Sequence, residues 1–296
     1  MSTEAPSQSR RAEEPFDTGE EMSYVYALGR GGEPALREAV ARLAGVDGGA
    51  LRLVESAGLA AVVSSGAFGE RGLRAQLEDM ARLEMIARSH HAVVDAAFAR
   101  TTVLPMRLAT VYLDDVRVAG MLAARRDRFL DLLARLDGHV ELGMKVYADA
   151  GAATPPETET ETETETETET EAAAVAESPG RAYLRRRRAQ RRGTQDLYRA
   201  AAGVAEEAVR LAEGLSRARV VHRPQQGGLA PARGENIANE AYLVPTGEVG
   251  RFTAALEASA DATPGVRVEV TGPWAPYSFA TVTEGDRHGA EEGAGR

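Results

Sequence analysis

The 296-residue chain contains no cysteine. This absence excludes disulfide bonds, thiolate metal ligands and a cysteine nucleophile, and it fits a protein of the reducing cytoplasm. The chain also lacks a long apolar run, because no stretch approaches the roughly 18 residues that a membrane-spanning helix needs. The first twenty residues are polar and hold no apolar core, so we expect no signal peptide there.

Aromatic residues are also scarce, at 5% of the chain with a single tryptophan, and positive charge is scarcer than negative. The formal net charge is −10. One tract, Glu157–Glu171, alternates glutamate with threonine and holds eight glutamates and no basic residue. Since this tract accounts for most of the excess negative charge, the remainder is nearly neutral. An acidic function is therefore not indicated for the folded part.

Residues 22–113 have the pattern of a first α+β module. Alternating apolar residues predict strands, and apolar residues three or four positions apart predict helices. The predicted strands lie near 23–28, 51–56, 59–65 and 101–113, and the helices lie at 33–43 and 73–98. One face of the second helix is expected to be buried through Leu73, Leu77, Met80, Leu83, Ala87, His90, Val94 and Phe98. The order is β-α-β-β-α-β, the split-βαβ or ferredoxin-like arrangement of an antiparallel sheet with helices on one face.

The same order recurs in a second module at 139–282. A connecting helix is predicted over 114–138, and strands follow at 139–148, 217–223, 240–245 and 265–272. Residues 149–179 interrupt the second module after its first strand. We expect this insertion to be disordered, because its acidic repeat buries no apolar surface and repels itself. The arm at 1–21 and the tail at 283–296 are also expected to be disordered.

Candidate catalytic, metal and cofactor groups do not assemble into a site. His90 and His91 are adjacent on a predicted helix and diverge by about 100°, so they do not form a chelating pair. His90 falls on the apolar stripe and is expected to be a satisfied core residue. The turn at 29–32 lacks both the spacing of a dinucleotide loop and the lysine of a phosphate loop. We therefore predict no enzyme activity, no cofactor and no metal.

Two features remain as candidate binding surfaces. Arg185, Arg186, Arg187 and Arg188 form the strongest basic patch, which is either a solvated helix face or a phosphate-binding surface for RNA. The stretch TGPWAPYSFA at 271–280 concentrates Trp274, Tyr277 and Phe279 in a chain with few aromatics. It is interpreted either as a packing clamp that folds back over the helices or the neighbouring module, or as an aromatic contact surface for a partner.

Several stretches together resemble one family. They are SYVYAL, the segment 90–112, the segment 131–147, PGRAYLRRR at 179–187, and the region 241–280 with its ending GPWAPYSF. On these residues the chain is similar to the gas vesicle synthesis proteins of the GvpL/GvpF family. The resemblance implies a non-enzymatic accessory or minor structural role in forming gas vesicles, in the cytoplasm, with contact to the small hydrophobic shell protein. It carries over no catalytic residue and no partner-binding residue.

Two other functions remain open from the sequence. Split-βαβ modules often bind small molecules, so a regulatory ligand-binding module is one alternative, on the basis of fold alone. An RNA-binding protein acting through Arg185–Arg188 is the other, although the near-neutral fold makes nucleic acid the weaker expectation.

Deletion of Glu157–Glu171 should leave the melting temperature nearly unchanged. The tract has no apolar side chain to contribute to a core, and the cost of closing a loop changes slowly with its length. Differential scanning calorimetry of the deletion variant beside the full chain checks this. A drop of many degrees would show that the tract packs on the folded part.

Overall fold

A computed structural model describes residues 22–66, 79–151, 179–224 and 234–280. The chain divides into two units, Met1–Arg135 and Leu136–Arg296. Each unit contains one antiparallel sheet with helices, which confirms the predicted α+β class. The disorder expected for the N-terminal arm, the acidic repeat and the C-terminal tail concerns residues outside these ranges.

The first unit follows the predicted β-α-β-β-α-β order. Its elements are β1 (Met22–Arg30), α1 (Pro34–Val40), β2 (Leu51–Ser56), β3 (Leu59–Gly66), α2 (Met80–Phe98), β4 (Leu104–Pro105), β5 (Val111–Tyr112), α3 (Asp115–Ala124) and α4 (Arg126–Leu136). The strand predicted over 101–113 is thus only two short pieces. Residues 114–138 were predicted as one helix, and this is wrong: two helices meet at Arg125, where the backbone leaves the helical region (φ −120°, ψ 21°).

The sheet of the first unit has the order β2-β3-β1-β4, and β5 also pairs with β1. The tight turn between β2 and β3 places Ser56 opposite Leu59, as expected for a hairpin. Strand β1 is central, and its residues from Met22 to Gly29 are buried. A strand buried on both faces needs cover on both sides, and helices supply it here.

Helix α2 covers one face of β1 and contributes a buried polar network. The Tyr24 hydroxyl lies 3.0 Å from His90 Nδ1, and His90 Nε2 lies 3.1 Å from the Met106 carbonyl oxygen. The carbonyl can only accept, so Nε2 carries the proton and Nδ1 accepts from Tyr24. The Tyr24 hydroxyl in turn accepts from the Ala109 amide. His90 is therefore a satisfied core histidine, as the sequence predicts.

Helix α3 contacts β2 and β3. Arg52 on β2 donates two hydrogen bonds to Asp115, at 2.9 Å and 2.7 Å, and Ser23 on β1 donates a third at 2.6 Å. Ser23 and Tyr24 are successive strand residues and point to opposite faces. Helices therefore pack on both faces of the first sheet, whereas the sequence predicted helices on one face only.

The buried face of α2 differs from the predicted stripe. Asp79 caps the helix by accepting from the amides of Ala81 and Arg82. The buried residues are Ile86, His90, Val93, Val94 and Ala97. His90 and Val94 are confirmed, but Met80 is 76% exposed and Leu83 is only half-buried. Leu73 and Leu77 lie outside the described residues, so the stripe prediction stays untested there.

The second unit repeats the element order. It contains β6 (His139–Ala148), α5 (Pro179–Glu213), β7 (Ala218–His222), β8 (Glu235–Pro245), α6 (Val249–Ala258) and β9 (Val266–Trp274), with a short 3-10 helix at Tyr277–Phe279. The sheet order is β7-β8-β6-β9. In both sheets, therefore, the second and third strands lie on one side of the first, and the fourth lies on the other. This shared order makes the two units topological repeats.

One face of the second sheet carries α5 and α6. Tyr242 on β8 packs its ring 5.4 Å from that of Phe252 on α6, and both residues are fully buried. Glu240, two residues earlier on the same face, accepts two hydrogen bonds from Arg219 at 2.7 Å each. It also accepts a hydrogen bond from the Tyr242 hydroxyl. Burial and this carboxylate together raise the pKa of Tyr242.

Only the C-terminal half of α5 packs on the sheet. Its buried residues recur three or four positions apart, on one face of the helix: Leu197, Ala201, Val204, Ala208 and Ala212. The preceding half, from Gly180 to Asp196, is exposed at nearly every described side chain. The core therefore ends at Leu197, although the helix begins at Pro179.

The neutral state of His90 should make the first unit sensitive to mild acid. Burial lowers the pKa of His90 from 6.5 to about 4. Between these two values the unfolded chain binds a proton that the folded chain does not, so stability is full above pH 6.5 and falls as the pH drops toward 4. The free energy of unfolding should decrease by up to about 3 kcal/mol over this range.

Urea unfolding at a series of pH values measures this effect. His90→Gln should weaken the pH dependence between 6.5 and 4, whereas His91→Gln, at a half-buried position on the same helix, should retain it. Identical pH profiles for the wild type and His90→Gln would contradict the prediction.

Candidate functional site

The aromatic stretch begins at the end of edge strand β9. Strand β9 pairs with β6 from Ala148↔Val266 to Gly143↔Thr271, and the register then shifts so that Glu141 pairs with Trp274. Gly272 and Pro273 form the bulge. Gly272 has φ +117°, and a Cβ there would lie 2.7 Å from the Glu141 carbonyl oxygen. Glycine is therefore required at 272, because the two backbones approach too closely for a side chain.

After Trp274 the chain turns back across the sheet and is fastened by Glu141. The Glu141 carboxylate accepts from the Ser278 amide at 2.7 Å and from the Ser278 hydroxyl at 2.8 Å. His222 Nε2 on β7 lies 3.2 Å from the same hydroxyl oxygen. We call Glu141, Ser278 and His222 the clasp.

The clasp lies on the face of the sheet opposite the helices. Leu142 pairs with Tyr242, which faces α6, and Glu141 is the next residue along β6. Successive strand residues point to opposite faces. Ser278 is therefore fastened on the face that α5 and α6 leave open. One version of the sequence-based clamp placed this segment over the helices, and that placement is wrong for Ser278.

The three aromatics of the segment differ in exposure. Phe279 is 6% exposed and Ala275 is fully buried, whereas Trp274 is 44% exposed. Tyr277 is half-buried. The segment therefore presents one large aromatic side chain to solvent and holds another inside the protein.

Burial and hydrogen bonding act in opposite directions on the Glu141 carboxylate of the clasp. Burial raises the pKa of Glu141, while the two hydrogen bonds from Ser278 and the nearby His222 oppose that rise. The Ser278 hydroxyl donates its proton to the carboxylate, so His222 can only donate toward the Ser278 oxygen. This geometry differs from that of a hydrolase, in which histidine accepts the serine proton. The clasp holds the chain in place and does not activate Ser278 as a nucleophile.

The predicted basic patch lies in the exposed half of α5. Arg185, Arg187 and Arg188 are exposed, as are Arg181, Arg191 and Arg192. The side chain of Arg186 is not described. Tyr183 and Leu184 are 60% and 51% exposed on the same segment, so the patch is a basic surface with two apolar side chains in it.

The part of the chain that the structure describes contains neither a metal-binding cluster nor a membrane-spanning helix. Within 22–66, 79–151, 179–224 and 234–280, no group of three or more histidine, aspartate or glutamate side chains could hold a metal ion. No helix of these same ranges is long and apolar enough to cross a membrane.

Comparison with known proteins places this architecture in a family. Residues 22–281 match the family model of the gas vesicle synthesis protein GvpL/GvpF. The chain belongs to the GvpL/GvpF family. The match begins at β1 and ends just past the 3-10 helix, so both sheets and the clasp lie within it. GvpL/GvpF proteins take part in gas vesicle formation, and the chain is a member of that group.

Two relatives come from one Streptomyces species. Gas vesicle protein L is 41% identical over 278 residues, which cover 93% of this chain and 98% of the relative. Gas vesicle protein F is 28% identical over 267 residues, which cover 87% of this chain and 98% of that protein. Each relative is therefore matched over nearly its whole length.

Solved structures share the fold. The crystal structure of GvpF from Anabaena aligns with a TM-score of 0.58 at 16% identity, covering 89% of this chain and 97% of that one. GvpF from Microcystis aeruginosa gives 0.55 at 16% identity, covering 88% and 99%. At this identity the similarity concerns the fold alone.

Sequence reasoning identified the aromatic segment but missed the residues that fasten it. Glu141 and Ser278 are 137 positions apart, so no local pattern connects them. Glu141 itself occupies a polar position of an alternating strand, as His139 and Lys145 do, so nothing in the strand distinguishes it. His222 lies in the strand predicted at 217–223, and only the structure brings it to Ser278.

Two substitutions of Glu141 should distinguish the contribution of its hydrogen bonds to stability from the contribution of its charge. Glu141→Gln keeps an acceptor for the Ser278 amide and removes a carboxylate whose ionised form is disfavoured by burial, so its stability should stay within about 1 kcal/mol of wild type. Glu141→Ala leaves the Ser278 amide and hydroxyl without their acceptor and should cost about 1–3 kcal/mol.

Urea unfolding of both variants measures the difference. Glu206→Ala, at an exposed position on α5, serves as the control and should be neutral. A loss for Glu141→Ala as small as that of the Glu206→Ala control would show that the hydrogen bonds to Ser278 do not stabilise the unit.

Proposed function

We propose that this chain is a non-enzymatic accessory or minor structural protein of gas vesicle formation that contacts the small hydrophobic shell protein during assembly. The proposal is supported by the family match over 22–281 and by the gas vesicle protein L relative at 41% identity. The other gas vesicle proteins are its partners, and its place of action is the cytoplasm, at the growing vesicle.

The exposure of Trp274 is the observation that favours this residue as the contact with the shell protein. It is the only tryptophan of the chain and is 44% exposed, while Ala275, Pro276 and Phe279 beside it are buried. Tryptophan is enriched among the interface residues that contribute most binding energy, because it buries a large apolar area and keeps a polar N–H. An apolar shell protein matches this chemistry.

The clasp gives this surface its rigidity. Glu141 pairs through its backbone with Trp274 and through its carboxylate with Ser278. The backbone of Trp274 is therefore one of two attachments to the same residue of β6, and the other follows four residues later at Ser278. A contact residue fixed before binding loses little conformational freedom in the complex, and this favours affinity.

The two interpretations of the aromatic stretch then apply to different residues. Phe279, at 6% exposure, supplies the packing, and Trp274 supplies the contact. The proposal thus assigns the clamp to Phe279 and the binding role to Trp274, rather than one role to all three aromatics.

Trp274→Ala should weaken co-purification of the shell protein about tenfold or more, which is the loss typical of a central interface tryptophan. The measurement is a pull-down with tagged protein from cells that express the whole gas vesicle gene cluster, quantified against the amount of bait. The melting temperature of the variant should fall much less than that of Phe279→Ala, which should cost about 3–5 kcal/mol.

Tyr183→Ala is the matched control, because Tyr183 is an aromatic residue 60% exposed on α5, outside the proposed surface. It should bind the shell protein as the wild type does. Wild-type recovery of the shell protein by a folded Trp274→Ala variant would refute the assignment of the contact to this tryptophan.

A further inference from the structure

The exposed N-terminal half of α5 is strongly basic, and packing in the core does not explain this composition. The helix begins at Pro179, and its first buried residue is Leu197. At a rise of about 1.5 Å per residue, the preceding segment is about 27 Å long. We call residues 179–196 the arm. Since its described side chains contribute almost nothing to the core, packing does not account for its composition.

The arm carries a concentrated positive charge. Seven arginines occur between Arg181 and Arg192, and the first acidic residue of the helix is Asp196. Arg181, Arg185, Arg188 and Arg192 recur at intervals of four, three and four, so they form one row along the helix.

The positive charge of these arginines destabilises the helix that carries them, for two reasons. Like charges three or four positions apart repel one another. Positive charge in the first turns also interacts unfavourably with the helix dipole, whose N-terminal end is positive. A negatively charged partner would remove both penalties at once, and the arm is therefore a surface suited to a polyanion.

The chain supplies a matching polyanion next to the arm. Glu157–Glu171 holds eight glutamates at every second position. In an extended chain such residues would share one side, about 6.6 Å apart, close to the 5.4 Å helical repeat of the arginine row. Only seven residues, 172–178, separate the tract from Pro179. A tether this short gives an effective concentration in the millimolar range.

We propose that the arginine row of the arm is a docking surface for an acidic segment, and that its occupant is Glu157–Glu171 of the same chain. The interaction is electrostatic and screened by salt, because the groups involved are exposed. It does not stabilise the core, since the arm lies outside it. Its effect is to neutralise the arm and to keep other polyanions, RNA among them, from binding there.

The test uses a fluorescein-labelled peptide with the sequence of residues 157–171, measured by fluorescence anisotropy in about 50 mM NaCl. The full chain should bind the peptide at least about tenfold more weakly than the variant lacking 157–171, because the tethered tract competes for the arm. Binding to the deletion variant should weaken as salt is raised. Equal affinities for the two proteins would overturn the proposal.

Arginine variants locate the site. In the deletion background, Arg185→Gln/Arg188→Gln/Arg192→Gln should abolish peptide binding. Arg199→Gln should retain it, because Arg199 lies beyond the arm and pairs with Asp196 at 2.8 Å. All these variants should melt like their parent, and peptide binding that survives the triple substitution would place the site elsewhere.

Two further measurements identify the occupant. A labelled uridine oligonucleotide should bind the deletion variant more tightly than the full chain, and equal RNA binding would show that the tract does not shield the arm.

Analytical ultracentrifugation should give the same oligomeric state for the full chain and for a variant with all eight glutamates changed to glutamine. Dissociation of an oligomer in that variant would mean that the tract docks on a second copy, which contradicts the intrachain assignment.

Discussion

Strand β6 is the element on which the second unit depends. It pairs with β8 along its whole length and with β9 along most of it, so both halves of the sheet are held through one strand. Its residue Glu141 also fastens the chain beyond β9 by accepting two hydrogen bonds from Ser278. The position of Trp274 at the edge of the sheet is therefore a consequence of the register of β6.

Strand β1 has the same central position in the first unit, but its environment differs. Helices cover both of its faces, and a buried tyrosine–histidine network joins it to α2. In the second unit the helices cover one face, and the C-terminal segment is fastened to the other through Glu141. The repeated strand order thus supports two different surfaces, because a sheet face that receives no helix is available for another segment.

The charged and aromatic surfaces of the second unit are separate features of the chain. Trp274 belongs to a segment anchored by hydrogen bonds to the half-buried Glu141 carboxylate, whereas the arm on α5 precedes the first buried residue of its helix. Anchored residues suit a specific contact, since they lose little freedom on binding. An exposed row of arginines suits a screened and reversible interaction with a polyanion.

By itself, the sequence determined most of the strands, their β-α-β-β-α-β order and the core position of His90, because apolar periodicity is a local property of the chain. The tertiary structure decided what depends on distant residues. The buried face of α2 includes Ile86 and leaves the predicted Met80 exposed, because packing sets which side of a helix meets the sheet. The break at Arg125 and the second helical layer on the first sheet were likewise decided only in the structure. Trp274 is exposed and Ser278 is held by Glu141 because strand register and a bulge at Gly272 bring together residues 137 positions apart, and no local pattern encodes such a contact.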